Sequence, residues 1–457
     1  MKTTLKFPGG GIFAALMFIG APSLACAQPV SVQVEQRAGE FVLLRNNHPI
    51  TLRGAVVNSA SVLSALSQGV QNPLDVLKAC GANAARAGSD RTVLDELHAK
   101  SMVGVVDLAL KGERDGMDWD NDAMVAAQAE RALAKVKELK DHPAVLMWVV
   151  GNELDYIPPD QPYNPRIWQR LNDLARAIKE IDPNHLVLTV VGNSRFASKI
   201  EELAREGTSL DLLGLNAYGA LDETSTLLRK QWPKPYIVTE WGTTGHWEVP
   251  RTGWGAPIEP TSSEKAVVID DRYRRVILGD RANCLGSFVF YWSEKQETTH
   301  TWYGLFAEEK RTQAIDVMER YWRGQLPTNL APTVVGFQLN GTPDKKALVL
   351  RPATEYDAHI SVLDAEGDVL SYSWDVRPEV VIPPGNYAGQ KEARAPILKH
   401  LMVEDGKADA RFRTPEEEGA YRLFVSITDG KDSIAYANFP FYVSESGTYQ
   451  ASEDRHL

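Results

Sequence analysis

From residue 51 onward, short apolar runs rich in β-branched residues alternate with amphipathic stretches, and this rhythm constrains the fold more than any other feature of the chain. Apolar strands that alternate with helices are typical of a parallel sheet covered by those helices. Eight strands are predicted, at 51–58, 82–88, 102–109, 144–153, 186–194, 212–219, 236–242 and 285–292. Eight such units over about 275 residues predict a (β/α)8 TIM barrel, an α/β fold, at 51–325.

The stretches between the strands fit the outer ring of such a barrel. Residues 122–142 carry apolar side chains at helical spacing, and the helix predicted from 165 ends at Pro183. A last helix over 312–324 closes the predicted barrel. A doubly wound sheet is the alternative for this rhythm, but no glycine-rich phosphate turn follows the first strand. The closed barrel is therefore the favoured architecture.

The N-terminal residues indicate export. A basic start, an apolar run at 12–19 and the motif Ala25-Cys26-Ala27 predict a secretory signal peptide at 1–27. Lipoprotein processing at Cys26 is the alternative. We expect a periplasmic or secreted protein without an integral membrane segment, because no apolar run is long enough to span a bilayer. The alternating pattern at 28–50 predicts a short β segment before the barrel.

Beyond a proline-rich junction the helical period disappears. Short alternating runs predict an all-β sandwich at 331–445, and the polar stretch 446–457 predicts a disordered tail. The segment LDAEGDVLSYSWDV at 363–376 resembles PKD- or cadherin-like modules, which implies an Ig-like sandwich. Its acidic residues Asp364, Glu366 and Asp368 are interpreted as a turn rather than a calcium site, because Gly367 supplies the backbone freedom of a turn.

Charge and cysteine content limit the partners. The formal net charge of −11 gives the chain no electrostatic reason to follow phosphates, so nucleic acid is not expected as a partner. Cys80 and Cys284 lie in apolar stretches, which favours buried free thiols over a disulfide. The nine histidines do not fall at metal-ligand spacing, so neither a metal nor a cofactor is expected. The oligomeric state stays open.

Two glutamates occupy the strand ends where barrel enzymes place their active sites. Glu153 ends the fourth predicted strand and Glu240 ends the seventh. Retaining glycosidases need two facing carboxyl groups, one that protonates the departing oxygen and one that attacks the anomeric carbon. The pKa values of such a pair must diverge, with one group protonated in an apolar pocket and the other ionised among donors. Glu153 and Glu240 are the candidates for this pair.

The sequence around both glutamates carries a family resemblance. WVVGNELD at 148–155 and PYIVTEWG at 235–242 resemble the acid/base and nucleophile strands of the clan A retaining (β/α)8 glycoside hydrolases. Within that clan, the similarity is greatest to family 2 barrels and to β-1,3-glucanosyltransferase-like barrels, over roughly residues 45–325. The resemblance implies Glu153 as acid/base and Glu240 as nucleophile.

The same resemblance implies supporting roles for four residues. Arg86 would hydrogen-bond the nucleophile, Asn152 the sugar 2-hydroxyl, Tyr218 the nucleophile again, and Trp292 would form the floor of the −1 subsite. Three of these roles have a plainer alternative: Arg86 paired with Asp90 in a loop, Tyr218 packed in the barrel rim, or Trp292 buried in the core.

Loops after the strands supply weaker candidates for substrate contact. They are Asn193, Trp241, His246, Trp247, Glu294, Gln296 and Trp302. A solvated loop or a structural hydrogen bond is the alternative for the polar members, and core packing is the alternative for the indoles.

These observations predict an enzyme that cleaves or transfers O-glycosyl bonds of a β-linked glucan or related polysaccharide by double displacement. Whether water or a second sugar resolves the intermediate is left open, as are the linkage and the endo or exo mode. The alternatives are a catalytically inactive polysaccharide-binding or envelope scaffold protein, and a different chemistry such as a lyase on the same barrel.

Overall fold

A computed structural model describes residue 1 and residues 30–157, 161–380 and 392–449 of the chain. Eight parallel strands form a closed barrel in which each strand pairs with the next and the last pairs with the first. They are β4 Leu52–Val56, β5 Ala84–Gly88, β6 Val103–Asp107, β7 Val145–Asn152, β8 Leu186–Val191, β9 Leu212–Asn216, β10 Tyr236–Trp241 and β11 Cys284–Val289. The predicted eight-stranded barrel is confirmed.

Nine helices surround the barrel in the described part of the chain. They are α1 Ser59–Gln68, α2 Pro73–Ala79, α3 Arg91–Ala99, α4 Asp122–Leu139, α5 Arg166–Ile181, α6 Phe196–Glu206, α7 Leu221–Gln231, α8 Ser262–Arg272 and α9 Gln313–Arg323. Their apolar faces pack on the outer face of the strands, while a separate cluster that includes Leu146, Leu188 and Phe288 fills the barrel interior. None of the described helices combines the length and the apolar character that crossing a membrane requires.

A three-stranded antiparallel sheet closes the N-terminal end of the barrel. Strands β1 Val32–Arg37, β2 Glu40–Arg45 and β3 His48–Pro49 form it. Its backbone N–H groups at Val32 and Phe41 donate to carbonyls of Asn184 and Ala282, in the loops that enter β8 and β11. The buried side chains of Val32 and Leu43 join the barrel interior. The end opposite the strand carboxyl termini is therefore sealed.

Residues 333–443 form two four-stranded sheets around a second core. One sheet has the order β14–β16–β19–β18 and the other β15–β21–β20–β17. Their bounds are β14 Thr333–Leu339, β15 Val349–Leu350, β16 Glu355–Leu363, β17 Ser371–Pro378, β18 Met402–Glu404, β19 Asp409–Arg413, β20 Gly419–Thr428 and β21 Ile434–Val443. Between barrel and sandwich, β12 Phe306–Ala307 pairs with β13 Lys310–Arg311. Packed sheets at the C-terminus are as predicted, and the Ig-like identity stays a prediction.

A buried polar cluster joins the barrel to the sandwich. The Glu259 carboxylate accepts from Lys265 of α8 at 2.5 Å and from Asn438 of β21 at 2.6 Å. Thr299 and Thr301, in the loop after β11, donate to the same carboxylate. Because barrel and sandwich residues share these hydrogen bonds, the two units meet through a satisfied charge pair rather than through a loose linker.

Other predicted features fall in different places. The signal peptide lies outside the described residues except for residue 1. Within the predicted tail at 446–457, Tyr449 packs against the ring of Tyr442 at 4.9 Å, and residues 450–457 lie outside the described residues. Cys80 and Cys284 are free and buried.

The acidic turn of the sandwich is held by its own hydrogen bonds. The backbone N–H of Asp368 donates to Asp364, and Lys431 pairs with the Asp368 carboxylate. The ligand atoms of Asp364, Glu366 and Asp368 lie within 4.8 Å of one another.

Candidate active site

The turn after β7 presents Glu153 in an unusual backbone conformation. Gly151 has φ +100°, and a Cβ there would meet the Leu154 side chain at 2.2 Å. Glu153 itself has φ +48°, a left-handed conformation that non-glycine residues adopt rarely and often at functional sites. Its backbone N–H donates to the carbonyl of Val190 on the neighbouring strand. The chain thus directs the Glu153 side chain toward the barrel mouth at a local conformational cost.

Arg86 organises the floor of the site. Arg86 lies in β5, and only 5% of its surface is exposed. Its Nη1 donates to Glu240 Oε1 at 2.7 Å. Its Nη2 donates to Asn152 Oδ1 at 2.7 Å and lies 3.4 Å from Asp107 Oδ2. The hydrogen bond to the nucleophile candidate that the resemblance implies is present. The alternative pairing with Asp90 is not, because Asp90 caps the N-terminus of α3.

A chain of amides links the two glutamates. Thr239 Oγ1 donates to Asn216 Oδ1 at 2.8 Å, which orients the Asn216 amide. Asn216 Nδ2 then donates to Glu153 Oε1 at 2.7 Å and to Asn152 Oδ1 at 3.1 Å. Since Arg86 donates both to Asn152 Oδ1 and to Glu240 Oε1, hydrogen bonds through Asn216, Asn152 and Arg86 connect the two candidate carboxyl groups.

The two glutamates experience different electrostatic surroundings. Burial raises the pKa of Glu153, and the nearby Glu240 carboxylate raises this pKa further; the hydrogen bond from Asn216 and the Arg114 charge oppose both effects. Glu240 has the Arg86 guanidinium within 2.7 Å and the Tyr218 hydroxyl 3.1 Å from Oε2. Burial alone would lower the pKa of Arg86, but Glu240 and Asp107 raise it. This arrangement raises the pKa of Glu153, while the Glu240 carboxylate oxygens accept hydrogen bonds from Arg86 and Tyr218.

Aromatic rings form one wall beside Glu240. Tyr218 is buried, and burial raises its pKa well above the ordinary value, with the Glu240 charge adding to the shift. It therefore acts as a donor toward Glu240. Its ring contacts Trp247 at 5.8 Å, Phe290 at 5.9 Å and Tyr303 at 5.5 Å. Trp247 is 44% exposed, so its ring is accessible at the rim of the site.

The aromatic residue at the end of the last barrel strand is Tyr291 rather than Trp292. Trp292 is 1% exposed, donates through Nε1 to the carbonyl of Pro73 and packs against Trp322. Tyr291 is half-buried, and its hydroxyl hydrogen-bonds Asn58. Burial raises the pKa of Tyr291, and the nearby Glu240 charge raises it further. The assignment of Trp292 as subsite floor is corrected, because its indole lies against α2 and α9, where it contacts Pro73 and Trp322.

Two other indoles proposed for substrate contact are buried. Trp241 is 0% exposed and stacks on Tyr273 behind the strands. Trp302 is 0% exposed and donates to the carbonyl of Thr244. Both expectations of substrate contact are corrected, since neither ring reaches the surface of the site. The Trp302 ring packs against His246, whose ring contacts Trp247.

Within the loop after β11, Glu294 and Gln296 contact the C-terminal part of the chain rather than the site. Glu294 pairs with Arg394 at 2.7 Å, and Gln296 hydrogen-bonds Glu392 at 3.4 Å. Their expected role as subsite residues is corrected, because residues far along the chain occupy their polar groups. His246 lies at the edge of the aromatic wall, 3.3 Å from the buried Glu297 carboxylate. Asn193 is exposed on the turn after β8, next to Gly192.

Four site residues escaped the sequence reasoning. Asn216 has a recognisable signal, since it lies two residues before Tyr218 and strand alternation places both on one face. Asp107 and Asn58 follow apolar strands directly, so the rule that strand ends form the site would have found them. Tyr291 had no separate signal, because nothing in the Tyr291-Trp292 pair indicates which ring faces inward.

Comparison with known proteins agrees with this architecture. Residues 91–248, which include Glu153 and Glu240, match the family described as glycosyl hydrolases family 2, TIM barrel domain. The barrel is thus similar to that of family 2. A β-glucuronidase of Streptococcus agalactiae is 25% identical over 261 residues, which are 48% of this chain and 41% of that protein.

Among solved structures, β-glucuronidase 2 of Bacteroides uniformis, covalently bound to cyclophellitol-6-carboxylate aziridine, superposes with a TM-score of 0.50. The identity is 14%, and the match covers 90% of this chain and 48% of that one. At this identity the likeness concerns the fold. The chain spans less than half the length of both relatives.

Proposed function

We propose that this protein is a retaining glycoside hydrolase or transglycosidase that acts on β-linked glycans, with Glu153 as acid/base and Glu240 as nucleophile. The observation that carries the proposal is the unequal environment of the two carboxyl groups. Glu240 has a guanidinium and a phenol as donors, whereas Glu153 is half-buried and its pKa is raised. Groups that differ in this way divide acid and nucleophile roles between them.

In the first step, the Glu240 carboxylate attacks the anomeric carbon while Glu153 donates its proton to the departing oxygen. The glycosidic C–O bond breaks, a glycosyl–Glu240 ester forms, and Glu153 is left ionised. In the second step, Glu153 accepts a proton from water or from a sugar hydroxyl, and the resulting oxygen nucleophile displaces Glu240. The anomeric configuration is inverted twice and is therefore retained.

Asn152 supports this chemistry through its orientation. Arg86 and Asn216 both donate to its Oδ1, so its Nδ2 is presented as a donor. A donor beside the nucleophile suits the 2-hydroxyl of the bound sugar, where hydrogen bonds strengthen in the transition state. The exposed Trp247 ring offers an apolar face for a sugar ring at the rim.

The substrate class proposed is a β-linked glucan or a related polysaccharide. The relatives named as β-glucuronidases place β-glucuronides in the same panel of test substrates. With Trp302 buried, Trp247 is the rim indole that supports binding of an acceptor sugar, and acceptor binding favours transglycosylation over hydrolysis. We also propose export, which would give a mature N-terminus at Gln28 in the envelope or secreted fraction, measurable by mass spectrometry.

The test uses wild type beside Glu240→Ala on 4-nitrophenyl β-glycosides of glucose, glucuronic acid, galactose, mannose and xylose, and on β-1,3- and β-1,4-glucans. We expect retained anomeric configuration by NMR, and a loss in the variant of about four orders of magnitude in kcat/KM. A 2-fluoro glycoside should label wild type on Glu240. Products longer than the substrate would identify a transferase. Intact glycan binding without turnover would instead support the scaffold alternative.

A further inference from the structure

We infer that the buried ion pair between Lys199 and Asp155 is a positioning device for the acid/base carboxyl of Glu153. The inference rests on the proposed function. Lys199 Nζ lies 2.5 Å from Asp155 Oδ2, and the two side chains are 1% and 2% exposed. Asp155 follows Glu153 by two residues, in the same turn after β7. The pair is thus a charged contact within the shell that surrounds the candidate acid.

Lys199 also binds the turn after β8, which packs against the Glu153 side chain. Its Nζ donates to the carbonyl of Gly192 at 2.9 Å, in the turn after β8. A Cβ on Gly192 would lie 3.2 Å from the Glu153 carboxyl carbon, so the glycine permits close contact there. One ammonium group therefore fastens both the turn that carries Glu153 and the turn that Glu153 contacts.

Stability of the helix does not account for this lysine. Lys199 lies in the first turn of α6, where the helix dipole disfavours a positive charge. A buried ion pair is often no more stabilising than an apolar pair of similar volume. Asp155 Oδ1 has no partner among the described residues, so Lys199 is the cation that compensates this carboxylate. Position and charge, rather than packing, explain the choice of residue.

The ion pair also contributes to the electrostatic potential at the Glu153 carboxyl group. The groups that act electrostatically on this carboxyl include Glu240 of β10, Arg86 of β5, Arg114 of the turn after β6, Asn216 of β9, the Tyr218 phenol and Asp155 itself. Glu240 and Asp155 raise the pKa of Glu153, and Arg114 lowers it. Without Lys199 the Asp155 charge is uncompensated, so the pKa of Glu153 should rise. Without Asp155 the Lys199 charge remains, so this pKa should fall.

The test compares Lys199→Met, Asp155→Asn and the double variant with Lys265→Met. Lys265 is the matched control because it forms an equally buried pair with Glu259, far along the chain at the junction with the sandwich. Substrates are aryl glycosides of the preferred sugar with leaving groups from phenol to 2,4-dinitrophenol. Phenol needs a proton from the acid and dinitrophenol does not, so the ratio of the two rates reports the acid step.

For Lys199→Met we expect kcat on the phenyl glycoside to fall about tenfold or more, with little change on the dinitrophenyl glycoside. Lys265→Met should change both rates by the same factor. Equal losses on both substrates for Lys199→Met would overturn the inference, since a purely structural role acts on both alike.

A second readout does not require turnover. Protein labelled with ¹³C at the glutamate carboxyl carbon, with Glu153 assigned through Glu153→Gln, gives the titration midpoint by NMR. We expect a higher midpoint in Lys199→Met, a lower one in Asp155→Asn and a return toward wild type in the double variant. Unchanged midpoints would overturn the inference. Should wild type turn over no glycoside, the proposed function fails while this titration still decides the role of the pair.

Discussion

Two carboxylates with cationic partners, Glu240 at the barrel mouth and Glu259 at the junction with the sandwich, differ in burial and in the role that their charge can take. The Glu259 side chain is 0% exposed, and Lys265, Thr299, Thr301 and Asn438 donate to it. Burial would raise its pKa, but Lys265 and these donors lower it to about 2. The Glu240 side chain is 16% exposed and has a second carboxyl group, Glu153, as neighbour.

The two regions differ in how completely the charge of the carboxylate is compensated by its neighbours. At the junction the charge is fully compensated, so the cluster resists change and joins two units. At the mouth, Arg86 donates hydrogen bonds to Glu240, Asn152 and Asp107. The pKa of the neighbouring Glu153 is raised. A site that leaves one carboxyl group poised to titrate is suited to proton transfer, whereas a site that suppresses titration is suited to structure.

The largest effect that separates the two regions is expected for Glu153→Gln. Removing the acid should lower kcat on glycosides with poor leaving groups by about a thousandfold. Wild-type activity should fall as pH rises through the raised pKa of Glu153, because the acid form is lost there. The variant should lack this alkaline limb. The measurement is kcat/KM against pH, and an unchanged limb in the variant would assign the titration to another group.

At the junction, Glu259→Gln should act on stability and not on chemistry. The amide leaves Lys265 as an uncompensated buried charge, at a cost of about 3 kcal/mol or more. The folded pKa of Glu259 lies below its ordinary 4.5, at about 2. Its contribution is therefore fully present above about pH 4.5 and is lost as pH falls toward 2.

Denaturant unfolding of both proteins across that pH window measures the difference. The difference in the free energy of unfolding between wild type and Glu259→Gln should become smaller as the pH falls. The kcat per folded molecule should stay near the wild-type value. A gap that does not depend on pH would show that the carboxylate charge is not what the variant removes.

The smallest of these effects is expected for Asn216→Ala, at the amide path between the glutamates. Losing one charge-assisted hydrogen bond at a partly exposed site should lower kcat about tenfold. The pKa of Glu153 should rise, because the Asn216 hydrogen bond favours its ionised form, so the alkaline limb should move upward. Rescue by Asn216→Gln is not expected, since a longer side chain displaces the amide. An unmoved limb would separate Asn216 from the acid.

The sequence by itself determined the barrel, the sheets that follow it and the position of the glutamate pair. Periodicity reports which face of an element is buried, and that information is local in the chain. Strand ends then select Glu153 and Glu240, since parallel strands bring their carboxyl ends to one mouth. Asn216 was within reach of the same rule, two residues before Tyr218.

Only the tertiary structure decided which rings and polar groups reach that mouth. Trp241, Trp292 and Trp302 differ little from Trp247 in their sequence surroundings, yet Trp247 alone among these four is exposed. Glu294 and Gln296 meet residues of the sandwich about 100 positions further along the chain. Contacts of this kind depend on how separate elements pack, and local sequence does not encode the identity of a distant neighbour. The physical reason is that the pattern of buried residues can be read from neighbouring positions in the sequence, whereas hydrogen-bond partners depend on how the whole fold packs.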